Sequence, residues 1–226
     1  MRLSIVIPAL NEERTIRQVL EAVLATPYDK EIIVVDDGST DGTPKILEEF
    51  RAAHGIVVLR HPVRRGKGTA LRTGFAVVSG DIVIIQDADG EYHPEEYPIL
   101  IRPIMRGWAD AVYGSRFVGA HRVFLLSHRI GNWIVNALAN VLYDSMLSDL
   151  ETGFKAFRKG VLNQFTLRSK DFRIEVELTA KLLRHHFRVY EVPISYSGRS
   201  YAEGKKLTWR DGVLALWALM VFRFSE

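Results

Sequence analysis

Four short runs of β-branched and aliphatic residues recur at near-regular spacing through the first half of the chain: "LSIVIP" (3–8), "EIIVVD" (31–36), "GIVVLR" (55–60) and "DIVIIQ" (81–86). Helix-like segments separate them: "EERTIRQVLEAVLA" (12–25), "TPKILEEFRAAH" (43–54) and "GTALRTGFAVVS" (68–79). Strands joined through helices make right-handed crossovers, and therefore a parallel sheet covered on both faces. A helix around "PEEYPILIRPIMRG", a strand at "ADAVYGSRF" (109–117) and an amphipathic helix at "EVELTAKLLRHHF" (175–187) extend the pattern, with His185 and His186 as surface residues. Thr43 ahead of Pro44, and Asn11 ahead of Glu12 and Glu13, read as helix starts. The prediction is an α/β fold: a mostly parallel central sheet flanked by helices over residues 1–206, then a C-terminal amphipathic helix over 207–226.

Composition narrows the function classes. A net charge of +3 on 226 residues is too small to imply a nucleic-acid partner. Basic residues cluster instead in "RHPVRRGK" (60–67) and "GRSYAEGKK" (198–206). With no cysteine there is no disulfide framework and no thiolate metal site, which fits a cytoplasmic protein. The N-terminal apolar stretch meets Pro8 too soon for a signal peptide. The longest apolar run, "VLALWALMVF" (213–222), is half the roughly 20 residues a spanning helix needs.

In an open parallel sheet, ligands bind beyond the carboxyl ends of the strands, and the polar residues of this sequence gather there. "VVDDGSTDGT" (34–43) follows the second strand, with Asp41 or Thr43 available as a helix cap. "RRGKGTALRTG" (64–74) follows the third; glycines around Lys67 would expose backbone N–H groups suited to an anion. It lacks the P-loop spacing, and no strand carries the dinucleotide G-x-G-x-x-G pattern. "DADGEY" follows the fourth. On an extended segment, Asp87, Asp89 and Glu91 would point to one side and repel one another until a divalent cation relieved the repulsion.

Taken in order, "SIVIPALNEE", "IIVVDDGSTDGT", "GKG", "DADGEYHPEE" and "YGSRF" resemble the family 2 glycosyltransferases, over nearly the whole chain. The resemblance implies the GT-A nucleotide-sugar fold. "LSHRIGNWIVN" (126–136), "DLETGFKAFRK" (149–159) and "GRSYAEGKK" (198–206) bring the chain closest to polyprenyl-phosphate hexosyltransferases. Mannose synthases of that group often carry glutamine where this chain has Glu91, and "ETGFK" is nearer the glucosyl branch.

Carried over position by position, the resemblance implies that Asp89 and Glu91 hold Mg2+ or Mn2+ and that Asp87 touches the ribose or donor sugar. Asp36 and Asp37 would lie near the base and ribose, with Pro8, Leu10, Glu12, Lys67 and Ala88 in the same donor pocket. The implied reaction is inverting hexosyl transfer to a polyprenyl (dolichyl-type) phosphate, with GDP-mannose as the preferred donor and UDP-glucose or UDP-GlcNAc as alternatives. A phosphate acceptor is already ionised and needs cations, for which Arg116, Arg129, Arg199 and Lys205 are the candidates. A hydroxyl acceptor needs a base, for which Asp149 or Glu151 are the candidates. A nucleotidyltransferase would carry a glycine-rich basic loop where this chain has "IPALNEERT", and a non-catalytic sugar-nucleotide scaffold would lose acidic positions that are all present here. The segment "LTWRDGVLALWALMVFRF" (207–224), with Arg210 and Arg223 near its ends, reads either as a core helix or as an interfacial one on the cytoplasmic face of a membrane.

Overall fold

A computed structural model describes residues 1–121, 126–198 and 209–224. Its centre is a seven-stranded sheet in the order β3-β2-β1-β4-β6-β5-β7. The strands are β1 (Leu3–Ala9), β2 (Lys30–Asp36), β3 (Val57–Arg60), β4 (Ile82–Ile85), β5 (Ala111–Ser115), β6 (Lys155–Arg158) and β7 (Val189–Pro193). Every pairing is parallel except those of β6, which runs antiparallel to both β4 and β5. β4 is buried at all four positions, as a strand covered on both faces must be.

Helices α1 (Ile16–Ala25), α2 (Thr43–His54), α3 (Lys67–Phe75), α4 (Tyr97–Met105), α5 (Leu126–Tyr143), α6 (Lys159–Leu162), α7 (Arg173–Arg184) and α8 (Trp209–Phe224) complete the chain. α1 buries the stripe Ile16, Val19, Leu20 and Val23, which contributes to the core on one face of the sheet. Leu71, Ile174, Leu178 and Leu182 pack against the other face. α8 joins α5 and α7 around Val135, Ala139, Val176, Ala215, Ala218 and Leu219.

The expected helix starts shift, and the shifts matter. Asn11 does not cap α1. It takes a left-handed conformation (φ 53°), its N–H donates to Ser39 Oγ, and its side-chain oxygen accepts Thr40 N–H. Thr43 does not cap α2 either: its hydroxyl accepts the Glu12 N–H at 2.8 Å, while Asp41 Oδ1 accepts the Thr43 N–H. Both side chains stitch the loop after β1 to the loop after β2.

Strand β6 is what the alternating pattern does not foresee. It pairs Ile85 with Lys155, so it enters the sheet at the rim where β4 leaves it. The segment 149–154 is thereby brought to the carboxyl ends of β1, β2 and β4.

Candidate active site

The rim gathers most of the predicted site, though not with the predicted geometry. β4 ends at Ile85, and residues 88–92 form turns and bends with Gly90 at φ 76°. The three acids therefore do not alternate along an extended strand. Asp87 turns to Lys67, whose Nζ lies 2.8 and 3.1 Å from its two oxygens. Asp89 Oδ1 accepts the Glu91 N–H, and Glu91 Oε2 accepts the Tyr196 hydroxyl at 2.7 Å. Among the described residues no group of three or more His, Cys, Asp or Glu side chains is arranged to hold a metal. Two carboxylates on one turn nevertheless fit a Mg2+-like ion that arrives on a diphosphate, because such an ion takes its remaining ligands from phosphate oxygens and water.

The glycine-lysine loop is also used differently. Asp37 is buried, and its carboxylate accepts the N–H groups of Arg65 (2.9 Å) and Gly66 (2.7 Å) while lying 2.7 Å from His61 Nδ1. The anion at those N–H groups is thus the protein's own. Gly66 (φ 96°) and Gly68 are there for close approach: a Cβ on either would run into the backbone oxygens of Lys170 and Ser169. Thr69 N–H is likewise spent on Lys170 O.

Asp36 is buried at the end of β2. Its Oδ1 accepts Ser39 N–H. Its Oδ2 lies 3.1 Å from Arg60 Nε, outside hydrogen-bond geometry, and so lacks a hydrogen bond. Pro8 and Leu10 are half-buried at the end of β1. Thr15 Oγ1 lies 2.9 Å from Ala88 O and 3.1 Å from the buried Glu12 carboxylate, which joins the loops after β1 and β4.

Just after β5, Arg116 makes a two-pronged contact with buried Asp149, Nε to Oδ2 at 2.8 Å and Nη2 to Oδ1 at 2.7 Å, and its backbone N–H adds a third bond. Burial opposes the guanidinium charge, but Asp149 and the nearby tyrosines outweigh it and hold its pKa above the ordinary value. Arg129, exposed on α5, has its guanidinium carbon 4.2 Å from the centroid of the Phe117 ring; that of Arg116 lies 5.6 Å from the same ring. Glu151 is half-buried, and burial raises its carboxyl pKa. Arg199 and Lys205 lie outside the described residues.

Sequence reasoning missed several residues that hold this together. Glu175 of α7 lies between Lys67 (3.2 Å) and Lys155 (2.5 Å), extending the part-buried Asp87–Lys67 pair inward into a chain of four charges. Lys155 also donates to the carbonyls of Leu150 and Thr152. Asn136 bonds Ser148 O and Leu150 N–H, and Glu191 accepts the N–H groups of Ser148 and Asp149. The loop presenting Asp149 is thus clamped from α5, β6 and β7. The sequence held no signal for these residues: 175–187 reads as an ordinary amphipathic helix, whereas 174–182 is buried throughout.

The chain belongs to glycosyl transferase family 2, whose sequence pattern matches residues 4–166. It is therefore a member of an enzyme family that transfers sugars. It is 33% identical over 216 residues to the low-salt glycan biosynthesis hexosyltransferase Agl6 of Haloferax volcanii, an alignment covering 93% of this chain and 51% of that protein. It is 29% identical to the UDP-N-acetylglucosamine–dolichyl-phosphate N-acetylglucosaminyltransferase of Methanococcus voltae, over 98% of this chain and 96% of that one. Glucosyl-3-phosphoglycerate synthase from Mycobacterium tuberculosis, solved with Mn2+, UDP-glucose and phosphoglyceric acid, superposes with a TM-score of 0.77 at 24% identity, over 98% and 79% of the two chains. That likeness bears on the fold, and the expected α/β architecture with its C-terminal helix stands.

Proposed function

We propose that the protein transfers a hexose or N-acetylhexosamine, with inversion, from a nucleotide-diphosphate sugar to a polyprenyl phosphate at a membrane surface. The observation that carries the acceptor class is the Arg116–Asp149 pair. The best-buried candidate base already accepts three N–H bonds from Arg116, so its role is to aim a cation. A site that offers a preorganised guanidinium suits an acceptor that arrives ionised, and Arg129 adds a second positive charge beside Phe117.

On the donor side Asp89 and Glu91 would hold Mg2+ or Mn2+, which stabilises the leaving diphosphate as a Lewis acid. Asp36 Oδ2, buried without a hydrogen bond, suits a ribose hydroxyl or base N–H. Lys67 keeps Asp87 at the same rim. By name, one relative is a hexosyltransferase of glycan biosynthesis and the other acts on UDP-N-acetylglucosamine and dolichyl phosphate, and the structural neighbour holds UDP-glucose and Mn2+. Together with Glu91 and "ETGFK", these favour a UDP-sugar over the expected GDP-mannose.

Membrane contact is supported by exposed apolar side chains on α5 as well as on α8. α5 exposes Leu126, Ile130, Trp133 and Ile134, and its packing partner α8 exposes Leu214 and Trp217. Large apolar side chains exposed on two packed helices, two of them tryptophans, suit contact with a lipid surface. No helix among the described residues is long and apolar enough to cross a membrane.

A second reading, a hydroxyl acceptor, has Glu151 in its favour, since a raised carboxyl pKa makes a better base. The first experiment is a thermal-shift screen with UDP-glucose, UDP-GlcNAc and GDP-mannose, with and without Mn2+. A ligand at about 100 times its Kd stabilises by about 2.7 kcal/mol, roughly 5–11 °C for a domain of this size. The UDP-sugars with Mn2+ should give that shift and Asp89→Asn should lose it. Full transfer activity in EDTA would sink the metal assignment.

A further inference from the structure

Tyr196 lies just after β7, in a stretch the sequence reading left without a role. The backbone there is held by a different element at each step. Ile194 N–H donates to Ser115 O, Ser195 N–H to Glu96 Oε1, Tyr196 N–H to Ala120 O and Ser197 N–H to Glu91 O. The Tyr196 side chain is buried. Its ring sits beside Tyr92, with centroids 5.7 Å apart, and lies under the Arg116 guanidinium at 5.5 Å. Gly198 packs so closely on the ring that a Cβ there would strike it. A ring gripped on these sides leaves its hydroxyl one direction, and that direction is Glu91 Oε2 at 2.7 Å.

We propose that Tyr196 is a positioning residue for metal binding: its hydroxyl fixes the Glu91 carboxylate in the orientation that, with Asp89, receives a divalent cation carried by the donor. The inference rests on the reading of Asp89 and Glu91 as the metal-holding pair. Glu91 stands on a turn, after a glycine at positive φ, and has a long side chain that would otherwise sample many orientations. The chain ties it twice to the same strap, at its main-chain oxygen through Ser197 and at its carboxylate through Tyr196. A hydroxyl is suited to this task. It donates one hydrogen bond to a carboxylate without adding a charge that would compete with the cation. Outer partners of metal-binding carboxylates contribute about 10- to 100-fold in metal affinity.

The test is Mn2+ binding to the full-length protein in the presence of UDP, followed by the loss of the free-ion EPR signal, in wild type, Tyr196→Phe and Asp89→Asn. Phenylalanine keeps the ring against Tyr92 and Arg116, so the fold is retained. Tyr196→Phe should bind Mn2+ about 10- to 100-fold more weakly. Its transfer rate should return to within about twofold of wild type once Mn2+ is raised to saturation, a rescue that general loosening of the fold would not allow. Weakened binding in Asp89→Asn with none in Tyr196→Phe overturns this inference and leaves the metal reading standing. Unchanged Mn2+ binding in Asp89→Asn overturns both. A defect in Tyr196→Phe that added Mn2+ does not relieve overturns the positioning role.

Discussion

Glu175 shows how much of the site depends on charges that never reach solvent. Burial alone would raise its pKa, but Lys155 and Lys67 outweigh burial and hold the carboxyl below its ordinary value of 4.5. For a carboxyl depressed in the folded state, the linked stability is present above the unfolded pKa and is lost as pH falls through the folded one. Glu175→Gln should therefore destabilise the protein near neutral pH. The gap between wild type and variant should close as pH drops below about 4.5 in urea titrations. A gap constant with pH would mean that the ion chain contributes only packing. Asp149 and Glu151, both candidate bases on sequence grounds, separate in the same terms. Asp149→Ala would strand Arg116, whose side chain is 12% exposed, and should cost about 3–5 kcal/mol together with most of the activity. Glu151 has a raised pKa, so its ionised form is disfavoured in the fold, and Glu151→Gln should be neutral to stabilising at pH 7.

Among the elements, α3 and β6 mark where sequence reasoning succeeds and where it stops. The helix expected over 68–79 is present as α3 at Lys67–Phe75, ending four residues early. The reason for its glycines was not legible, since they answer to a loop a hundred residues away. Gly68→Ala should destabilise by about 1–3 kcal/mol by forcing α3 off Ser169 and Asp171, measurable as a lower urea midpoint at unchanged slope. β6 and β7 were missed because "KAFR" and "VYEVP" are short and carry charges. Lys155 and Glu191 are kept there by partners that sequence spacing cannot display. The α5–α8 pair calls for point substitution, because Ala215, Ala218 and Leu219 pack in a shared core that truncation would open. Trp133→Ser with Trp217→Ser, at positions 68% and 57% exposed, should keep the thermal midpoint and reduce co-sedimentation with anionic liposomes. Equal sedimentation of variant and wild type would remove the membrane reading of that face.

In the protein as a unit, one edge of one sheet brings together the turn with Asp87, Asp89 and Glu91, the buried Asp36, and Arg116 held by Asp149. The place of the site was legible because polar residues cluster at strand ends, where ligands of open parallel sheets bind. The pairing within the cluster was not, because Lys67, Tyr196 and Glu175 reach it from three separate segments. The central claim is that the acceptor arrives as an ionised phosphate. It is tested most directly by initial transfer rates from the UDP-sugar that binds, against concentration of short-chain polyprenyl phosphate, for wild type, Arg116→Ala, Arg129→Ala and Glu151→Gln. Losing a charge-assisted bond to phosphate costs about 1.5–3 kcal/mol, roughly 10- to 150-fold, so Arg129→Ala should fall that far with donor affinity nearly unchanged, and Arg116→Ala at least as far, since it also leaves buried Asp149 unpaired. Glu151→Gln should retain most of its activity. A Glu151→Gln enzyme slowed by about 10²–10⁴-fold beside two normal arginine variants would contradict the account and assign the site to a hydroxyl acceptor with a protein base.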